Sequence, residues 1–136
     1  MPNTLTHDDI RLFLVDDPDT NLVLGDYEYT PEQITKAMSM TVDLWNETPP
    51  DVCVYTVETF PWKHHLMLQV VSYLLAMASH GYTRNDLSYN IAGGSVDDKN
   101  KAPQYLQLSA DYAGRFREWM ARKKAQINSE LAWGFA

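Results

Sequence analysis

"PWKHHLMLQVVSYLLAMASHG", residues 61–81, is the stretch on which the fold turns. Leu66, Met67, Val70, Val71, Leu74, Leu75 and Ala78 recur at steps of one, three and four, the broad apolar face of a helix buried at the centre of a domain. Pro61 suits the first helical turn, and Gly81 after His80 predicts a left-handed C-cap that ends the helix. Gln69, Ser72 and Tyr73 interrupt its most apolar part, which is too short to span a bilayer.

Upstream, "YTPEQITKAM" gives the sharpest helix start. Thr30 is a natural N-cap, Pro31 fits the first position and Gln33 completes a capping box. Ile34, Ala37, Met38, Thr41, Val42 and Trp45 then mark one helical face, and the prolines of "NETPPD" stop it. Between the two helices "DVCVYTVETF" alternates weakly and reads as a short strand or an extended connector. Cys53 within it reads as a small buried hydrophobe rather than a catalytic thiol. As the sole cysteine it permits no internal disulfide and fits a reducing compartment. Nearer the start, Thr6 caps a short helix with Asp8 and Asp9 in its first turn and Ile10, Phe13 and Leu14 on its apolar face. Pro18 in "DDPDTN" ends it. The opening "MPNTLTHDDIRLFLVDD" has neither a basic start nor a long apolar run, which predicts no signal or transit peptide.

Downstream lies "DLSYNIAGGSVDDKNKAP", residues 86–103. Leu87, Tyr89 and Ile91 alternate with polar residues, and Gly93-Gly94 supplies the positive φ angles of a tight turn, so residues 87–97 are expected to form a β-hairpin. It is either a surface ornament or, because an isolated hairpin leaves open edges, a contact between chains through Leu87, Tyr89, Ile91 and Val96. A helix from about Ala102 to Asn128 follows, along which Tyr105, Leu108, Tyr112, Phe116, Trp119, Met120 and Ile127 step. At about 40 Å it would outrun a compact domain of this size, so part of it is expected to project. The end, "NSELAWGFA", places Leu131, Trp133 and Phe135 at alternate positions. It is either packed on its own subunit or is a docking segment, residues 129–136, anchored by Trp133.

The whole, residues 1–136, is expected to be one mainly α domain: a small bundle of about four helices with a long last helix and an inserted hairpin. Its formal net charge of −7 argues against a protein that mainly grips phosphate backbones. The positive cluster Arg115, Arg117, Arg122, Lys123 and Lys124 reads first as a solvated helix face and second as a partner or nucleic-acid contact. His64 and His65 are adjacent and diverge on a helix, and His7 and His80 lack ligand-spaced neighbours, so no metal site is expected. "AGGS" lacks the Lys-Ser/Thr ending of a phosphate loop, the acidic runs lack the calcium-loop pattern, and no nucleophile sits in an elbow or beside a base. No cofactor and no catalysis are expected.

In element order the chain resembles the head–tail connector, or adaptor, proteins of tailed bacteriophages. The likeness rests on the N-terminal helix, "YTPEQITKAMSMTVDLWNETPP", the apolar helix ending "HGYTRNDLSYNIAGGSVDD", and "YLQLSADYAGRFREWMARKKAQIN". None of these is a motif of catalytic specificity. The resemblance implies a structural virion protein in a homo-oligomeric ring, commonly of twelve copies, at the head–tail neck and assembled in the bacterial cytoplasm. Its partners would be the portal protein, which the C-terminal segment reaches, and a downstream tail or neck protein. DNA would pass through the lumen without specific binding, and no membrane would be involved. The competing readings are a cytosolic helical interaction or regulatory module and a nucleic-acid-binding packaging factor.

Overall fold

A computed structural model describes residues 5–19, 26–85 and 101–133. They form four helices, α1 (His7–Leu14), α2 (Pro31–Glu47), α3 (Lys63–Asn85) and α4 (Lys101–Ala132). Both N-terminal caps close as reciprocal boxes. Asp9 N donates to Thr6 Oγ1 at 3.2 Å while Thr6 N donates to Asp9 Oδ2 at 3.1 Å. The Thr30–Gln33 pair repeats the arrangement at 3.0 and 3.2 Å at the head of α2. Each box satisfies two donors that the first turn would otherwise leave orphaned.

α1 stops earlier than Pro18, at a left-handed Val15 with φ of 54°. That turn delivers Asp16 to the interior, where its buried carboxylate accepts from Glu28 N at 2.7 Å and Tyr29 N at 3.1 Å. Arg11 reaches the same place, donating to Tyr29 O at 3.0 Å with its guanidinium 4.0 Å over the Tyr27 ring. α1 and the entry to α2 are therefore tied by polar groups as well as by Ile10.

α3 lies at the centre, packed against α1, α2 and α4. Among its described side chains only His64, His80 and Thr83 are exposed. Leu66, Val70 and Leu74 join Ile34, Met38, Val42, Trp45, Phe116 and Met120 in one buried cluster. Val71 and Leu75 are buried as well. Trp119 packs partly buried against the cluster, whereas Tyr112 lies near the surface with its ring edge against Phe13 at 5.9 Å.

The expected bundle with an inserted β-hairpin is corrected: the described residues form four helices and no strand, and residues 87–97 lie outside them. The expectation rested on alternation and a Gly-Gly pair, but two strands alone bury too little to stabilise themselves, and the helices enclose the core without them. The 51–60 segment is the extended connector, not a strand. Asn46 of α2 holds its middle, with Asn46 Nδ2 donating to Tyr55 O at 2.8 Å and Tyr55 N donating to Asn46 Oδ1 at 3.0 Å.

Two helix ends also differ from expectation. α3 runs through Gly81 to Asn85 because the next turn is held from outside: Tyr82 donates to Glu28 Oε1 at 2.6 Å and its ring meets Tyr105 at 5.6 Å. Such tertiary contacts outweigh the helix penalty of one glycine, about 1 kcal/mol. α4 continues past Asn128 to Ala132, with Trp133 N bonded to Ser129 O at 3.0 Å. No helix breaker precedes Gly134 there.

Candidate functional site

α3 and α4 run antiparallel in a register that three contacts set. Ser79 Oγ donates to Ala102 O at 2.9 Å, Ser72 Oγ to Ser109 O at 2.7 Å, and Ser109 Oγ to Ser72 O at 2.8 Å. Further along, His65 stacks on Trp119 with centroids 4.1 Å apart and planes 10° from parallel. Because α3 begins at Lys63, everything on α4 beyond Trp119 passes the end of its partner.

The next turns are held by the end of α2. Lys124 is 1% exposed, and its ammonium donates to Trp45 O at 2.5 Å, to Thr48 O, and to Pro50 O at 3.3 Å. It also lies 4.8 Å over the Trp45 ring. These carbonyls are at the negative end of α2, where a cation satisfies orphan acceptors and complements the helix dipole. Burial pushes the Lys124 pKa down, while Asp51 and Cys53 oppose that shift.

Around Trp45 the aromatic side chains form a nest. Trp62, Phe60, Trp119 and Tyr55 have centroids 5.2, 5.6, 5.6 and 6.0 Å from it. Lys123 lies 5.2 Å over Trp62, on the outer wall of the nest. Burial, together with Cys53 beside it, raises the Tyr55 hydroxyl to about 12. His65 is held below its ordinary pKa by burial first, then by His64 and Lys123.

Ile127 is the last α4 side chain packed against the core. Beyond it the helix presents Leu131, 49% exposed, and Trp133, 75% exposed. At a rise of about 1.5 Å per residue, Trp133 stands roughly 20 Å beyond Trp119 along the helix. The chain therefore has a rigidly rooted arm whose end carries two large apolar groups in solvent.

Of the residues expected to dock, Leu131 and Trp133 are on this arm, and Phe135 lies outside the described residues. Leu87, Tyr89, Ile91 and Val96, the expected contacts between chains, also lie outside them. The positive cluster is not one solvated face: Arg115, Arg117 and Arg122 are exposed, Lys123 leans on Trp62, and Lys124 is interior. Sequence reading missed Lys124 as the brace of the arm, since nothing local separates it from Lys123.

His7 meets Thr35 Oγ1 at 3.1 Å, and His80 is exposed. Among the described residues no group of three His, Cys, Asp or Glu is placed to hold a metal ion. No helix among them is long and apolar enough to cross a membrane. No protein-family model, curated protein or solved structure matches this chain.

Proposed function

We propose that this chain is a structural virion protein, a subunit of a ring that joins a phage portal to the tail and lets DNA pass through its lumen. The observation that carries the reading is the α4 arm, which is braced at Lys124 and Trp119 and ends in exposed Leu131 and Trp133. A large aromatic held in solvent on a rigid support is the form of an interface anchor, because it loses little conformational freedom on docking. In this reading the arm seats on the portal protein, the ring is built from copies of the chain, and a tail or neck protein closes the other side. The protein acts in the virion neck and performs no catalysis. The net charge of −7 favours passage of DNA over its retention, since retention needs clustered cations at phosphates.

The test is removal of residues 129–136. The truncated protein is expected to keep its circular dichroism spectrum and thermal unfolding and to lose attachment to the portal, followed by native mass spectrometry or negative-stain imaging of the mixture. Undiminished attachment would sink the reading. A large loss of thermal stability would instead make the arm's end part of the subunit's own core.

A further inference from the structure

We infer that the first half of α4, residues 102–113, is a flap that swings away from α3 about Gly114 while the root of the arm stays in place. This motion is independent of what the arm binds.

The two halves of α4 are held unequally. From Phe116 onward the helix buries Phe116, Met120 and Lys124. Ahead of Phe116, Ser109 alone is buried among the described side chains of α4, and Leu106 and Leu108 stand 53% and 45% exposed. The flap therefore brings no buried apolar side chain to the core. Its rings are half-buried, with Tyr105 meeting Tyr82 at 5.6 Å and Tyr112 meeting Phe13 at 5.9 Å. A segment that buries so little apolar surface opens ahead of global unfolding.

α3 meets the flap with polar groups. Gln69, Ser72 and Ser79 are all buried, and their spacing puts them on one face of α3. The two serines are hydrogen-bonded across the seam. Gln69, 3% exposed, differs: among the described residues nothing donates to its buried Oε1. One turn from Ser72, it lies level with residues 112–113 in the antiparallel register. A stranded amide raises the free energy of the closed seam, and water satisfies it once the flap opens.

Gly114 supplies the hinge. It is exposed at the junction of the loosely and firmly held halves, and a side chain there would meet nothing within 4 Å. Close packing is therefore not what calls for a glycine. Within a helix, glycine weakens the run about fivefold in equilibrium constant relative to alanine. That weakness falls between Ser109 and Phe116, where a bend leaves Trp119, Lys124 and the arm undisturbed.

Hydrogen exchange of the full chain, read by mass spectrometry at neutral pH, tests this. Amides of residues 104–112 are expected to be at least about tenfold less protected than those of residues 117–127. Their exchange should change little in low urea, because a flap exposes little surface on opening. Gln69→Met keeps the side chain's length and removes the amide, so it should slow exchange in residues 104–112 about tenfold. Gly114→Ala, at an exposed position, should slow it about fivefold. Equal protection along α4, a urea dependence as steep as that of global unfolding, or no slowing in Gly114→Ala would overturn the inference. Faster exchange in a folded Gln69→Met would overturn it too, since the amide would then be satisfied in the closed seam. Circular dichroism verifies the fold of each variant, and Gly114→Ala decides the matter if Gln69→Met does not fold. None of these measurements involves a portal, so their failure is distinct from failure of the portal reading.

Discussion

The crossing at Ser72 and Ser109 and the nest around Trp45 hold the same helix pair in opposite ways. At the crossing, small side chains let two backbones approach until each serine hydroxyl reaches the other helix's carbonyl. Around Trp45 the space is filled by rings from α4 and from the segment leading into α3, His65 of α3 stacks on Trp119, and a buried ammonium closes it. The crossing fixes the relative position of the helices with few atoms and little apolar area. The nest supplies the area, and because it sits where α3 begins, it decides whether the rest of α4 stands as an arm. Register and reach are therefore set in separate places.

The contrast breaks most visibly at Trp45. Trp45→Ala should cost about 3–5 kcal/mol, because the ring touches four other aromatics and leaves a large void. Urea unfolding monitored by circular dichroism measures it, and a loss below about 1 kcal/mol would mean that the nest is not the main source of apolar stability. Lys124→Met keeps the stem but strands three carbonyls and should cost about 1.5–3 kcal/mol. Hydrogen exchange should show amides after Trp119 losing protection while those near Ser109 keep theirs. Uniform loss across α4 would show that the arm and the crossing are not independent.

Ser72→Ala is expected to cost less, about 0.5–1.5 kcal/mol, since it leaves the apolar packing intact. The smallest effect is that of acid on the nest. The folded protein holds His65 below its ordinary pKa of 6.5, so the unfolded chain takes up the proton first as pH falls. This contribution is fully present above pH 6.5 and diminishes below it as the pH approaches the folded pKa. His65→Gln should flatten the stability difference between pH 7.5 and pH 5.5, and an unchanged difference would place the acid sensitivity elsewhere.

What was legible in the sequence was local. Thr30 and Gln33 announce a capping box because their partners are three residues apart, and the α3 face is visible as periodicity. The helix past Gly81 was not legible, because what holds it is Glu28, 54 residues away from Tyr82. Lys124 was hidden for the same reason, with its acceptors 74 to 79 residues distant. Leu131, Trp133 and Phe135 stood out as docking candidates from their size and spacing, but that the helix would run past Asn128 to Ala132 was not legible. The alternating, glycine-bearing 87–97 segment read as a hairpin, whereas the fold that encloses the core consists of four helices.

The placement of the tryptophans has an optical consequence. Trp45, Trp62 and Trp119 lie within 5.2 to 5.6 Å of one another, close enough for their transitions to couple and give a near-ultraviolet signal that reports on the intact nest. Trp133, 75% exposed, stands apart from them at the arm's end. An aqueous quencher such as iodide should reach that one indole first, and its protection would register the moment the arm finds a partner. The chain thus carries an unlabelled reporter of its own folding and a second of its own docking, separable in one cuvette.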